Sequence, residues 1–335
     1  MLENEGDNYF HLDEAEFEDY DTERKKLVGS SNPKRFDEIE INKLIENLKL
    51  NNSLNNIDLS EKSMNLTEFN FLCESLKTLS TIERLNLSYN KIDSEKLKPL
   101  CALLSSNVYL KNVDLSNNKL GNEEMKSLSE VIKLNKNIKE IDLSENRFRF
   151  EGTKHFSESL KHNKTLKNLV LCSSRMKNKG IKCFSESLKS NNTIESIVLT
   201  ENYITEEGML FFSDFLKTNT SLTFLDLSLN QIGNKGIKYL CDSLKKNNKI
   251  TELDISSNEI QHDGFSAFFD FLKSDLSLKK INISSNFFEK STINSMCDAL
   301  RVNTTVTDLD ISNIERKMDS PIFFICYLQI VLSKS

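Results

Sequence analysis

One spacing constrains this chain more than any other property: a large aliphatic residue recurs every 28 residues through most of its length. The column begins at Leu54 and ends at Val306, and it has ten members with no insertion between them. Each member opens a run such as "IERLNLSYN" or "LTFLDLSLN", whose alternating apolar residues predict a short strand with one buried face. The 335 residues therefore form a repeat protein rather than two ordinary domains.

Helical spacing follows each predicted strand. Two apolar columns stand four residues apart, as in Leu72 with Leu76 and Phe212 with Leu216, and residues four apart lie on the same helix face. A unit of strand, turn, helix and return loop cannot bury its apolar side alone, so neighbouring units must stack. The predicted fold class is an α/β solenoid of about ten 28-residue repeats.

Two asparagine columns and one glycine column punctuate the repeats. The first asparagine follows each strand, where its amide can satisfy backbone groups of its own and the next repeat; its members are Asn90, Asn118, Asn146, Asn202, Asn230, Asn258 and Asn286. Lys62, Ser174 and Ile314 break this column, so we expect the weakest ladder at the two ends and in the fifth repeat. The glycines start the helices and should allow close packing; they are Gly152, Gly180, Gly208, Gly236 and Gly264.

The second asparagine column follows each helix, where a left-handed backbone is expected because asparagine tolerates it. Its members are Asn51, Asn107, Asn135, Asn163, Asn191, Asn219, Asn247 and Asn303.

These residues resemble the leucine-rich repeat superfamily, and the 28-residue unit with a full helix is similar to its ribonuclease-inhibitor-like class. The resemblance covers residues 36–335 and implies a curved solenoid, with a parallel sheet on the concave side and helices on the convex side. Ribonuclease inhibitor alternates two repeat lengths, and this chain does not. The "LKxNxxLxxLxLxxN" style is also similar to the repeat domains of the Ran GTPase-activating protein and tropomodulin. Function does not follow from fold, so no activity is inherited by default.

The chain divides by composition into a tail and a repeat domain. Residues 1–35 form an acidic tail that we expect to be disordered, since its first 26 residues hold ten acidic and three basic side chains. The repeat domain spans 36–335, with an N-terminal capping helix at 36–53, repeats at 54–313 and a C-terminal capping segment at 314–335. The apolar part of that last segment, "SPIFFICYLQIVLSKS", is too short to span a bilayer. Edge-capping is the favoured role, with self-association or weak membrane association as alternatives, and stable membrane insertion is not expected.

The concave face is predicted to be an acidic floor with an apolar centre. The exposed position between the two buried leucines of each strand is Asp in six of ten repeats, but Val170 and Val198 interrupt it in the middle. Apolar anchors ringed by charge are typical of protein-binding sites, although Asp followed by Ser is also a common filler of this motif. The predicted partner-binding residues are Asp114, Asp142, Val170, Cys172, Val198, Phe224, Asp226, Leu229 and Asp254.

A basic column lies near successive helix ends, where the helix dipole favours a cation. Its members are Lys49, Lys77, Lys133, Lys161, Lys189, Lys217, Lys245, Lys273 and Arg301. Because many acidic residues accompany this column and the net charge is −6, nucleic-acid binding is disfavoured.

No catalytic, phosphate-binding or metal-binding motif stands out, and we expect no enzyme activity and no cofactor. Seven scattered cysteines suit reduced thiols, so a cytoplasmic location is expected, with the nucleus as an alternative. Cys73, Cys101, Cys241 and Cys297 share one helix position, where packing explains them better than metal or redox chemistry.

The predicted function is a non-enzymatic module that holds a protein partner on its concave face. One alternative is a regulator of a small GTPase resembling the Ran GTPase-activating protein, for which Arg84, Arg147, Arg149 or Arg175 would be the candidate arginines. The early repeats show no irregular loop of the kind that this resemblance implies. The other alternative is a cytoskeletal cap resembling tropomodulin.

Overall fold

A computed structural model describes residues 36–50 and 55–313 of the chain. Ten helices and ten strands alternate through these residues. The helices are α1 Glu38–Leu50, α2 Leu66–Lys77, α3 Ser94–Ser106, α4 Asn122–Leu134, α5 Phe150–His162, α6 Lys177–Leu188, α7 Glu206–Leu216, α8 Gly233–Leu244, α9 His262–Leu272 and α10 Lys290–Val302. The strands are β1 Asn56–Asp58, β2 Arg84–Asn86, β3 Asn112–Asp114, β4 Glu140–Asp142, β5 Asn168–Val170, β6 Ser196–Val198, β7 Phe224–Asp226, β8 Glu252–Asp254, β9 Lys280–Asn282 and β10 Asp308–Asp310.

All ten strands belong to one parallel sheet, in which they follow one another in chain order. Each strand pairs with the residues 28 positions further on, as Phe224 does with Glu252. Because crossovers between neighbouring parallel strands almost always turn in the same hand, the helices that connect these strands lie against one side of the sheet. We call the other side, which carries the last residue of each strand, the open face. The α/β solenoid of about ten repeats is therefore confirmed.

The core lies between the sheet and the helices. Leu225 and Leu227, on either side of Asp226, are fully buried, as are Phe212 and Leu216 of α7. The periodic columns of the sequence thus correspond to buried strand and helix positions. Because each repeat supplies only one layer of this core, its burial depends on the repeats next to it.

The first asparagine column joins each repeat to the one before it. Asn230 donates through Nδ2 to the carbonyls of Leu199 and Leu227, both at 3.0 Å. Its Oδ1 accepts the backbone N–H groups of Asn202 and Ile204, also at 3.0 Å. The expectation that these amides serve the next repeat was wrong, because the unpaired strand-end carbonyl and loop N–H groups within reach belong to the preceding repeat.

The fifth repeat lacks this connection. Ser174 is completely buried, and its hydroxyl donates only to the Cys172 carbonyl, at 3.2 Å. Its short side chain reaches neither Asn146 nor Phe148, whose N–H groups occupy the positions that a ladder asparagine would serve. In the described part of the chain neither N–H has another recorded acceptor. The predicted weak point in the ladder is present at this position.

The second asparagine column was predicted wrongly in its backbone conformation. Asn107 ends α3 with φ −77° and ψ 120°, an extended conformation. Its side chain explains why asparagine recurs at this position in most repeats. Nδ2 donates to the Leu76 carbonyl at 3.0 Å, and Oδ1 accepts the N–H groups of Tyr109 and Leu110 at 2.8 and 2.9 Å. Hydrogen bonding to the previous helix end, not left-handed geometry, is therefore the role of these residues.

One column of left-handed residues lies instead just before the ladder asparagine, where the chain turns from strand to helix. All but the last of them, Asn313, donate their N–H to the following repeat, as Leu229 does to the Ser256 carbonyl at 3.0 Å. These residues are Glu61, Tyr89, Asn117, Glu145, Ser173, Glu201, Leu229, Ser257, Ser285 and Asn313. The bond to the neighbouring repeat imposes the conformation on side chains that do not favour it.

The glycine column permits the predicted close approach at the helix starts. A Cβ on Gly236 of α8 would lie 2.5 Å from Cγ2 of Ile232, 3.2 Å from Cγ of Met209 and 3.4 Å from Cα of Glu206. Any larger residue there must displace atoms of its own repeat and of the preceding one.

Several predictions fall outside the described residues: the acidic tail, the junction at residues 51–54 and the apolar segment at 314–335. Within the described residues, no helix is both long and apolar enough to cross a bilayer.

Candidate partner-binding face

The predicted site residues all lie on the open face or at its rim, and four of them form one straight row. Asp142 pairs in register with Val170, Val170 with Val198, and Val198 with Asp226. All four are half-buried. We call these four residues, on strands β4 to β7, the central row.

The acidic residues of the floor also have a local structural role. Oδ1 of Asp142 accepts the N–H of Ser144 at 2.8 Å, and Oδ1 of Asp226 accepts the N–H of Ser228 at 2.8 Å. An Asx turn of this kind closes eight of the ten strands, where Asp or Asn occupies the position. The Asp-x-Ser pattern therefore stabilises the strand ends as well as giving the face its charge.

Val170 and Val198 are the two exceptions among the ten strands. Valine cannot accept a hydrogen bond, so the chain gives up the Asx turn at β5 and β6. At β5 the Cys172 N–H instead donates to the Ser144 hydroxyl at 3.0 Å. At β6 the Thr200 and Ser228 hydroxyls bond to each other at 3.1 Å. The apolar pair thus interrupts a stabilising pattern at the centre of the sheet.

Burial shapes the electrostatics at both ends of the central row. Burial raises the pKa of Asp142, and the charges of Asp114 and Glu140 raise it further, against the lowering effect of its hydrogen bonds to Ser144. Burial also raises the pKa of Asp226, with a smaller contribution from Asp254. By contrast, the hydrogen bond from Ser60 lowers the pKa of Asp58 at the edge of the sheet. The carboxylates beside the valines are therefore the poorly solvated ones.

Three further predicted residues surround the row. Cys172 lies half-buried beyond Val170, and burial raises the pKa of its thiol. Phe224 is half-buried at the start of β7. Leu229 is 55% exposed and holds a φ of 53°. A left-handed backbone costs a leucine about 1–2 kcal/mol, and exposure of the side chain offers no folding gain in return. Sequence patterns identified Leu229 as exposed but gave no sign of its strained backbone.

The basic column on the helices does not form an isolated cationic stripe. Seven of its nine members pair with carboxylates one helical turn earlier, as Lys245 does with Asp242 at 2.9 Å and Lys273 with Asp270 at 2.7 Å. Lys161 pairs with Glu158 in the same way. These ion pairs are exposed and contribute little to stability. Their carboxylates nevertheless neutralise the positive charges to which a polyanion would bind.

The candidate arginines of the GTPase-regulator alternative are spread over three repeats. Arg84 begins β2, Arg149 precedes α5, and Arg147 and Arg175 lie in the turns after β4 and β5. Both Arg147 and Arg175 already make contacts within the chain. The geometry brings no two of them to the central row.

The shared cysteine position is a packing position, as predicted. Cys73 and Cys241 are buried, and burial raises the pKa of each thiol to about 12. Cys101 is half-buried, with its pKa raised to about 11. Over residues 36–50 and 55–313, no three His, Cys, Asp or Glu side chains are grouped in a way that could hold a metal ion.

Comparison with known families identifies the repeat unit. The family described as "Leucine Rich repeat" matches residues 78–101, 218–241 and 246–269. The last two segments cover β7 with most of α8, and β8 with most of α9. Three of the repeats thus match the leucine-rich repeat family, which is consistent with the solenoid of alternating strands and helices.

Comparison of these leucine-rich repeats with individual proteins adds little. The curated proteins contain no match to the chain. Among solved structures, it is similar to "Leiomodin-1 Actin-Binding Site 2 (ABS2)", with 16% sequence identity and a TM-score of 0.36. That similarity covers 55% of this chain and 88% of the leiomodin chain. A likeness this distant says nothing about what the present repeats bind.

Proposed function

We propose that this leucine-rich repeat chain binds a protein partner on its open face, centred on Val170 and Val198. The observation that carries the proposal is the interruption of the Asx turns. Eight strands end in Asp or Asn bonded to the N–H two residues on, and only β5 and β6 replace it with valine. Residues that break a stabilising local pattern without a folding gain mark functional positions.

The surroundings of the two valines support the same conclusion. Leu229 adds a 55% exposed apolar side chain at the rim, held in a conformation that leucine disfavours. Half-buried Cys172 and Phe224 extend the apolar area, and the carboxylates of Asp142 and Asp226 border it. A small apolar centre with a charged rim is the usual composition of a protein interface.

The test replaces both valines by lysine and uses a matched control with the same chemical change elsewhere. Val108 and Val302 are each 58% exposed and lie outside the sheet. We expect the wild type and Val108→Lys/Val302→Lys to capture the same proteins from a lysate. With Val170→Lys/Val198→Lys, the captured amount of the main partner should fall by about tenfold or more. All three proteins should give the same circular dichroism. Equal capture by the three, with unchanged folding, would remove the patch from consideration.

The two alternative functions stay predictions with their own assays. A GTPase regulator should accelerate GTP hydrolysis by a small GTPase and lose this effect when one of the candidate arginines is replaced. A cytoskeletal cap should sediment with filaments. Neither GTPase acceleration nor filament sedimentation is expected to depend on Val170 and Val198. The Val170→Lys/Val198→Lys variant therefore distinguishes these two activities from the proposed interaction.

We also propose a cytoplasmic setting, with the nucleus as the alternative. The support is that all six cysteines of the described residues are free thiols, as in proteins of reducing compartments. Fluorescence microscopy of the tagged full chain should show a cytoplasmic or nuclear signal, and a secreted product would contradict the proposal.

A further inference from the structure

The central row has one carboxylate at each end and the two valines between them. Asp142 and Asp226 both use Oδ1 for the serine N–H of their turn. The Ser144 and Ser228 hydroxyls also bond to these carboxylates, and Asp226 accepts a further hydrogen bond from the Thr200 hydroxyl. Asp254, one strand further on, differs because its Oδ2 accepts the amide of Asn282 at 2.7 Å. Within the described residues, no basic side chain neutralises either of the two carboxylates that border the valines.

The neighbouring acidic side chain on β4, Glu140, is less available to a bound partner because it already accepts hydrogen bonds within the sheet. Oε2 of Glu140 accepts the side-chain amides of Asn112 and Asn168 at 2.8 and 3.1 Å. Burial raises the pKa of both central carboxylates, which means that their charge is poorly solvated. A cationic group placed over Asp142 and another over Asp226 would neutralise a poorly solvated charge at each end of the row and add a charge-assisted hydrogen bond there.

The spacing of the row limits what can meet both carboxylates at once. Adjacent strands lie about 4.8 Å apart, so three steps separate Asp142 from Asp226 by about 14 Å. An extended segment advances about 3.3 Å per residue, which puts side chains i and i+4 about 13 Å apart on the same face. The side chain at i+2, also on that face, falls over the valine pair.

A helical segment fits the same row less well. Helical residues on one face that span a comparable length are seven, eight or eleven positions apart, which corresponds to about 10.5, 12 or 16.5 Å. None of these lengths matches the row as closely as the extended segment does. The spacing therefore favours an extended bound peptide.

We propose that the open face binds an extended, basic segment of its partner, lying across strands β4 to β7. A basic side chain at position i meets Asp142 or Asp226, an apolar side chain at i+2 covers Val170 and Val198, and a basic side chain at i+4 meets the other carboxylate. This inference rests on the proposed function, because it assigns the partner chemistry of the same surface.

The test uses three defined peptides and the full chain with labelled valine methyl groups. The first peptide has the core Lys-Ser-Val-Ser-Lys, the second is its rearrangement Lys-Lys-Val-Ser-Ser, and the third is Glu-Ser-Val-Ser-Glu. Methyl signals of Val170 and Val198 are followed by NMR during titration. We expect the first peptide to shift both signals with an affinity about five- to tenfold higher than the second, and the third to have no effect.

A charge-removing variant provides the specificity control. In Asp142→Asn/Asp226→Asn the turn bonds should persist, because Asn86 and Asn282 accept the same serine N–H at 2.9 and 3.0 Å. This variant should bind the first two peptides equally. Equal affinities in the wild type, or no shift of the valine methyl signals with any peptide, would overturn the inference.

The lysate experiment separates this inference from the function on which it rests. If Val170→Lys/Val198→Lys loses the captured partner while the three peptides bind alike, the open face is an interface but its partner is not an extended basic segment. If the first peptide is preferred while the captured proteins are unaffected by the valine changes, the peptide preference stands and the proposed function fails.

Discussion

Replacing Ser174 by asparagine should make the protein more stable, although the change puts a larger polar side chain at a fully buried position. The reason is that every neighbouring repeat carries an asparagine at this point of the ladder, and the fifth does not. The new Nδ2 should reach the Leu143 carbonyl, and the new Oδ1 should accept the N–H groups of Asn146 and Phe148. Asn230 makes the equivalent four bonds at 3.0 Å each.

The size of the effect follows from the bonds gained and lost. A buried hydrogen bond contributes about 1 kcal/mol net, and leaving a buried N–H without an acceptor costs about 1–3 kcal/mol. Against this stand the lost bond from the Ser174 hydroxyl to Cys172 and about 1 kcal/mol for ordering the longer side chain. We expect a net gain of about 1–2 kcal/mol in the free energy of unfolding. The reciprocal change, Asn230→Ser, should lower it by about 2–3 kcal/mol.

The assay combines urea unfolding with hydrogen exchange. Because repeat proteins can unfold in parts, the local measurement is the more direct one. Exchange at the amides of Asn146 and Phe148 should slow by about tenfold in Ser174→Asn, which corresponds to the expected gain in free energy. Unchanged or faster exchange at these two amides, with a lower free energy of unfolding, would show that the asparagine ladder does not hold the repeats together as described.

Three further changes test other parts of the structure. Gly236→Ala should lower the free energy of unfolding by about 2 kcal/mol or more, measured in urea, because its Cβ would lie 2.5 Å from Cγ2 of Ile232; no loss would refute the close packing. Leu229→Asn should raise it by about 0.5–1 kcal/mol, since asparagine tolerates φ 53° better, and should weaken partner capture; an unchanged capture would exclude the rim from the interface. Asp142→Asn/Asp226→Asn should be more stable than the wild type at pH 7, because burial raises both pKa values and so penalises the charged forms. This difference in the free energy of unfolding should shrink as the pH falls toward 3.8, since the wild-type carboxylates then become neutral. A difference that grows in acid would contradict this explanation.

The repeating parts of the fold could be predicted from the sequence because each repeat meets the same surroundings. Leu225, Leu227 and Phe212 have counterparts in every unit, and a buried position repeated ten times leaves a clear column. The weak ladder at Ser174 was visible for the same reason, as a break in a column. Because the repeats are regular, both the columns of buried residues and the break at Ser174 could be identified from the sequence.

The features that the sequence did not reveal depend on contacts between repeats. The left-handed position holds Glu, Tyr, Asn, Ser and Leu, so no residue type marks it, and the hydrogen bond to the following repeat imposes it. The post-helix asparagines bond to the preceding helix end, which a column of identical residues cannot indicate. The poor solvation of Asp142 and Asp226 depends on how the residues around them bury their carboxylates, and no residue type in the sequence marks it.

The most direct test of the central claim is site-specific photocrosslinking from each side of the solenoid. A diazirine amino acid is placed at Leu229, at the rim of the open face, or at Leu210 of α7, which is on the helix side and similarly exposed, at 48% against 55%. Irradiation in a lysate, followed by mass spectrometry, should give a defined crosslinked protein from position 229 and none of it from position 210. Crosslinking of that protein from position 210 alone would place the interface on the helices and contradict the account.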